Sequence, residues 1–90
     1  MGKKEIVITS AARTAVATFC KSLKNISGEE MGSTVISENI KRSKLKNHDV
    51  DEVIIGQVLT GGAGQNPARQ ASIRSGIPKE KPAFVVNQVC

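Results

Sequence analysis

Apolar positions along this chain follow two different periods. Lys4-Glu5-Ile6-Val7-Ile8-Thr9 is a short β-branched run behind a charged start, the pattern of a strand buried on both faces, and it predicts a first strand. From Ser10 to Asn25 the period is lost. Arg13-Thr14, a stretch of small residues and Phe19 predict an irregular excursion able to cover a site or a subunit boundary. Ser27-Gly28-Glu29-Glu30 then has the form of a capping box, in which the Ser27 hydroxyl accepts from the Glu30 amide and the Glu30 carboxylate reaches back, with Ile26 and Met31 at the staple positions. Met31, Val35, Ile36 and Ile40 recur on one side of the helix that follows, with Gly32 among them. Glu38, Lys41 and Arg42 take the other side or the C-terminal end, so the spacing predicts an amphipathic helix of about four turns whose basic end suits the dipole.

Asn47-His48-Asp49 makes a turn, and Val50 to Val58 predicts a second strand centred on Val53-Ile54-Ile55. Gly61-Gly62-Ala63-Gly64 is a flexible loop after it. Asn66 caps a second helix with Pro67 at the first helical position, and the helix runs to Gly76 as its C-cap. Ala68, Ala71, Ser72 and Ser75 give that helix a small face that lets another helix or backbone approach closely. Pro78 and Pro82 bracket the exit, and Ala83-Phe84-Val85-Val86 predicts a third strand leading into Asn87-Gln88-Val89-Cys90. The fold class is α/β, a β-α-β-α-β order with right-handed crossovers and a parallel sheet. Parallel sheets are covered on both faces, and two crossovers leave one face open unless they lie on opposite sides. The chain therefore reads as the opening part of a larger domain, or as one to which a partner adds the missing layer.

Composition narrows the classes. Ninety residues allow one small domain, and 39% hydrophobic residues with two Phe and no Trp or Tyr supply one modest core of Ile, Val, Leu and Ala, which argues against disorder. The longest apolar runs, of about four residues, fall far short of the roughly 20 that cross a bilayer, and no signal-peptide core is present. A net charge of +5 points to an anionic partner. The basic residues are scattered, however, and the chain has almost no aromatic rings on which bases stack, so nucleic acid is not expected. Cys20 and Cys90 lie far apart without CxxC spacing or a histidine partner, which excludes a zinc module and fits a reducing compartment, the cytoplasm.

Several motifs invite chemistry. Gly62-Ala63-Gly64-Gln65-Asn66-Pro67 meets the first two glycines of a dinucleotide fingerprint, but Pro67 stands at the third, no acidic residue follows at ribose spacing, and there is no Gly-Lys-Ser/Thr. A strand-to-helix connection explains the run better. His48, between Asn47 and Asp49, reads as a solvated turn histidine. Arg69 and Arg74 read as surface or interface ion pairs, and Cys20 as a small buried hydrophobe. Cys90 differs, because it follows a strand at the carboxyl edge of a parallel sheet, where α/β proteins place their chemistry. The amides of a helix starting there would make its thiol a nucleophile, and a cysteine that simply happens to end the chain is the other reading.

Four blocks carry a resemblance. Ile8-Thr9-Ser10-Ala11-Ala12-Arg13-Thr14, Gly56-Gln57-Val58-Leu59, Gly64-Gln65-Asn66-Pro67-Ala68-Arg69-Gln70-Ala71 and Val86-Asn87-Gln88-Val89-Cys90, in that order and spacing, resemble the opening of a thiolase, and most of all the acetyl-CoA acetyltransferases. Ala15 and Ala17 depart from the Pro and Gly common after Arg-Thr in that family. The resemblance covers about Lys4 to Cys90 and implies that residues 1–90 are the N-terminal portion of a thiolase N-terminal domain, ending at the nucleophilic cysteine.

On that resemblance Cys90 is the residue that takes the acyl group as a thioester, and the activity is condensation of two acetyl-CoA to acetoacetyl-CoA or thiolytic cleavage of a 3-ketoacyl-CoA. Coenzyme A and acetyl-CoA are then substrates, with no tightly held cofactor and no metal. The expected partners are the remainder of the thiolase chain or identical subunits in a homodimer or homotetramer. The family's histidines, second cysteine and most coenzyme A contacts fall outside the 90 residues, and a chain ending at Cys90 sets a carboxylate beside the sulfur, which favours the neutral thiol. The 90 residues alone are therefore expected to be inactive. Two other readings are a ketoacyl-synthase-type condensing enzyme, against which the GQNPARQA block argues, and a fragment that serves only as an assembly or interaction subunit.

Overall fold

Ser27 opens the first helix with its own side chain. Its Oγ accepts from the Glu30 amide at 3.2 Å while its backbone stays extended, and helix α1 runs from there over Gly28–Ser43. The helix stops at Lys44, whose backbone enters the left-handed region (φ 58°) and whose amide returns to the carbonyls of Ile40 and Lys41. In the computed structural model, which describes residues 2–88, a short 3-10 turn (Asn47–Asp49), strand β1 (Val53–Gly56), helix α2 (Pro67–Arg74) and strand β2 (Ala83–Val86) follow in order.

The two strands pair in parallel, with Val53 opposite Ala83 and Gly56 opposite Val86. The ladder begins where the Val53 amide reaches the Pro82 carbonyl at 3.0 Å and closes where the Gln57 amide reaches Val86 at 2.9 Å. Alternation then sorts the side chains. Val53 is buried with Ile40 and Ile77, and Ile36, Val50, Ile55 and Ala83 pack against them, so one face of the sheet lies under the helices. The opposite face, with Ile54, Phe84 and Val86, is exposed.

The helices meet through small residues, as the Ala68, Ala71, Ser72 and Ser75 face predicts. A Cβ on Gly32 of α1 would lie 3.2 Å from Ala71 Cβ and 3.5 Å from Ile55 Cδ1. Beside that contact the Ser75 hydroxyl lies 2.7 Å from the Ala71 carbonyl of its own helix and 3.2 Å from the Ser33 carbonyl of the other. Gly76, at φ 86°, ends α2 as its C-terminal glycine.

Three expectations need correction. Lys4–Thr9 forms no ladder, and Ile6 is fully exposed, so the described order is α-β-α-β within the same parallel α/β architecture. The two-stranded sheet has unpaired edges, but the end of the segment is held by α1 instead. Thr9 Oγ1 lies 2.8 Å from Ser43 Oγ, the Ser10 hydroxyl donates to the Asn39 carbonyl at 3.0 Å, and Arg42 donates to the Ala11 carbonyl at 2.7 Å. The second strand is four residues long rather than Val50–Val58, because Pro82 has no amide to extend the ladder and Val50 still belongs to the turn at Asn47. Cys20 is exposed, not buried. It sits at φ 60° in a turn closed by the Lys21 amide on the Thr18 carbonyl at 3.0 Å.

Candidate functional site

Past the carboxyl end of β1 the chain enters the loop that carries three glycines, and α2 holds that loop in place. The Gln70 side-chain Nε2 lies 2.8 Å from the carbonyl of Ala63 and 2.8 Å from that of Gln65, so its two hydrogens serve two carbonyls of the loop. Gly62 and Gly64 both have positive φ, at 77° and 79°. A Cβ on Gly64 would come 3.1 Å from the Gln70 nitrogen, so this glycine gives the side chain room to reach its carbonyls.

Asn66 joins the loop to the helix and to the sheet. Its Oδ1 accepts from the Arg69 amide at 3.1 Å as the cap of α2, with Pro67 next in the first turn, and its Nδ2 donates to the Ala83 carbonyl of β2 at 3.0 Å. Arg69 makes no ion pair among the described residues. Its guanidinium forks onto the main chain instead, with Nη1 2.9 Å from the Lys81 carbonyl and Nη2 2.6 Å from that of Lys79, which ties α2 to the connection that enters β2. Gln70, Arg69 and Asn66 thus form one clamp over the loop, the helix and the second strand. Sequence reasoning saw the cap and missed the clamp, because its partners are carbonyls 10 to 17 residues away from Arg69 and Asn66. The only signal was the density of amide and guanidinium side chains in Gln65-Asn66-Pro67-Ala68-Arg69-Gln70.

Under the clamp lies a cleft of about 420 Å³ lined by Thr60, Gly64, Asn66, Pro67, Val85 and Asn87. These residues offer amides, a hydroxyl and backbone, and no acid or base. Cys90, the expected nucleophile, lies three residues past Asn87 and outside the described residues. His48 is in the 3-10 turn with its side chain 67% exposed, 3.5 Å from Asp49, as a solvated turn histidine should be. A larger cleft, about 610 Å³, separates Arg13 and Thr14 from the Glu38, Lys41 and Arg42 side of α1. Among the described residues no group of His, Cys, Asp or Glu is placed to hold a metal ion, and no helix is long and apolar enough to cross a membrane.

Residues 6–90 match the family described as thiolase, N-terminal domain. The acetyl-CoA acetyltransferase of Cupriavidus necator is 52% identical over 86 residues, which is 96% of this chain and 22% of that protein. The cytosolic acetyl-CoA acetyltransferase of Mus musculus is 48% identical over 89 residues, 99% of this chain and again 22% of the relative. Among solved structures, the Acat5 thiolase from Ascaris suum in complex with coenzyme A superposes with a TM-score of 0.89 at 45% identity, covering 91% of this chain and 22% of that one. The chain thus spans about a fifth of the length of these relatives.

Proposed function

The chain belongs to the thiolase family, and from that premise we propose that residues 1–90 are the opening portion of the N-terminal domain of an acetyl-CoA C-acetyltransferase, with Cys90 as the residue that accepts the acetyl group. The observation that supports this best is the clamp of Asn66, Arg69 and Gln70, which ties the loop after β1 and the start of α2 to the amino-terminal end of β2 and the connection into it, on the strand that leads to Cys90.

The chemistry is acyl transfer in two steps. The Cys90 thiolate attacks the carbonyl carbon of acetyl-CoA, the bond from that carbon to the coenzyme A sulfur breaks, and coenzyme A leaves as a thiolate that takes up a proton. A second acetyl-CoA then loses a methyl proton to a base, and the resulting carbanion attacks the enzyme thioester. A carbon–carbon bond forms, the Cys90 sulfur leaves, and acetoacetyl-CoA is released. In reverse, coenzyme A cleaves a 3-ketoacyl-CoA. One thioester replaces another in the first step, so dividing the reaction costs little. The cleft under the clamp contributes amides and a hydroxyl, so the base comes from residues outside it. Coenzyme A is a substrate in this reading, the expected assembly is a homodimer or homotetramer of complete chains, and the expected compartment is the cytoplasm.

The second reading, a segment serving only in assembly, is favoured by the exposed apolar sheet face of Ile54, Phe84 and Val86. Mass spectrometry of the complete chain after incubation with acetyl-CoA separates the two. One acetyl group on the Cys90 peptide, lost in Cys90→Ala, is the expected result, and an unmodified Cys90 sinks the proposal. Residues 1–90 alone are expected not to turn over acetoacetyl-CoA with coenzyme A, since the base and the family's other catalytic groups are not among them.

A further inference from the structure

We infer that the cleft between the Ala12-Arg13-Thr14 segment and α1 binds a phosphate-bearing anion, with Arg13, Lys41 and Arg42 as its cations. At about 610 Å³ the cleft falls within the range of small-molecule sites, about 300 to 1,000 Å³. Its lining carries those three cations and one acid, Glu38, which leaves a charge of +2. Lys41 and Arg42 stand in the last turn of α1, where the helix dipole by itself favours positive charge. The dipole does not account for Arg13. That residue arrives from the irregular segment before the helix and lines the same cleft.

The three cations are not equivalent. Arg42 is fixed in place, since its Nε donates to Glu38 Oε1 at 3.1 Å and its Nη1 to the Ala11 carbonyl at 2.7 Å, which ties the segment to the helix. That pair neutralises Glu38 and leaves three of the five guanidinium N–H groups unspent. The side chains of Arg13 and Lys41 make no hydrogen bond or ion pair among the described residues, so all their donors are open. A second cleft, about 420 Å³ and lined by Ala11, Ala12, Arg13 and Arg42, shares both arginines with the first. A phosphate suits this set better than a carboxylate. Two guanidinium forks and an ammonium offer donors in several directions, which match tetrahedral oxygens carrying close to two charges at neutral pH. A single carboxylate leaves one cation unmatched.

The test is calorimetric titration of the complete chain with inorganic phosphate at fixed ionic strength. Phosphate stabilises proteins in general through exclusion from their surface, so the readout is saturable heat of binding and not the melting temperature. Arg13→Gln and Lys41→Gln remove charges that hold nothing in the fold, and Arg42, which holds the segment, is left alone. Each variant is expected to weaken phosphate binding about tenfold, the scale of one charge-assisted hydrogen bond. Lys24→Gln, at a lysine that lines neither cleft, should bind as the parent does. Absence of saturable binding in the parent overturns the inference, as do parental affinity in both cleft variants or an equal loss in Lys24→Gln. Repeating the titration with coenzyme A present identifies the source of the phosphate, and this arm alone rests on the acyl-transfer reading. Displacement means that the cleft takes the phosphates of coenzyme A, and undiminished binding means a separate phosphate or phosphate ester; either result upholds the site. Since the readout is binding, failure of Cys90 acetylation and failure of the phosphate site are told apart.

Discussion

Gly32 of α1 and Ala71 of α2 stand so close that a Cβ on Gly32 would sit 3.2 Å from that of Ala71, tighter than nine in ten real contacts of that kind. The absent side chain sets the distance between the helices, and through Ile55 the distance of both from the sheet. Gly32→Val, whose branches have no room, is expected to destabilise the chain by about 1 to 3 kcal/mol as overpacking does. Gly28, whose Cβ would meet only the end of the Gln57 side chain at 3.5 Å, is the control. Gly28→Ala should be neutral or slightly stabilising by its better helix propensity. Equal denaturation midpoints for the two variants would show that helix approach is not limiting.

Gly76 carries a separate demand. Its φ of 86° excludes a Cβ at ordinary cost, and a Cβ there would come 2.6 Å from Asn47 Nδ2. Gly76→Ala is expected to cost about 1 to 2 kcal/mol from the backbone. Since the Asn47 side chain can swing away, adding Asn47→Ala should recover only a minor part. Full recovery in the double variant, measured by denaturant unfolding, would place the cost in the contact instead.

Ser72 is completely buried in α2, and its hydroxyl has no hydrogen-bond partner among the described residues. An unpaired buried hydroxyl costs about 1 to 3 kcal/mol. Ser72→Ala should therefore raise the melting temperature or leave it unchanged. A clear fall would mean that the hydroxyl has a hydrogen-bond partner in solution, such as a buried water.

Arg69 bonds two carbonyls, those of Lys79 and Lys81, with one rigid fork. Lysine keeps the charge and loses the fork. Arg69→Lys is expected to lose up to about 1.5 to 3 kcal/mol, the range for bonds from a charged donor. Amide exchange should accelerate in the Pro78–Pro82 connection before it does in α1. Uniform acceleration throughout the chain would argue that Arg69 acts globally and not on that connection.

Ile54 and Phe84 are neighbours in register on the uncovered face of the sheet, 56% and 42% exposed. Expressed by themselves, the 90 residues should self-associate through this face and the apolar Ile6–Ile8 segment. Sedimentation velocity is expected to show species larger than a monomer, shifted back towards the monomer by Ile54→Lys with Phe84→Lys. A monodisperse parent would refute this.

Much of the fold was legible because its signals are local. The Ser27 cap, the Asn66-Pro67 start and the Gly76 stop each work through hydrogen bonds closed within a few residues, and all three lie where the residues place them. The small face of α2 also announced a close approach, though not that Gly32 would be the residue to meet it. The site was legible only in part. The blocks that resemble a thiolase identified the family and pointed to Cys90, which lies outside the described residues, but they did not show what Arg69 and Gln70 hold.

By itself, then, the sequence determined where helices start and stop, which runs are extended, and which family the chain joins. The tertiary structure alone decided which extended run becomes a strand. Ile6-Val7-Ile8 and Val53-Ile54-Ile55 are almost the same pattern, yet among the described residues only the second finds a partner, in Ala83–Val86. It also decided that Asn66, Arg69 and Gln70 spend their donors on carbonyls of the loop and of the path into β2. The reason is the reach of the interactions. A helix closes each bond four residues back, so its own sequence suffices, whereas a strand and a side-chain clamp need partners that only the folded chain brings near.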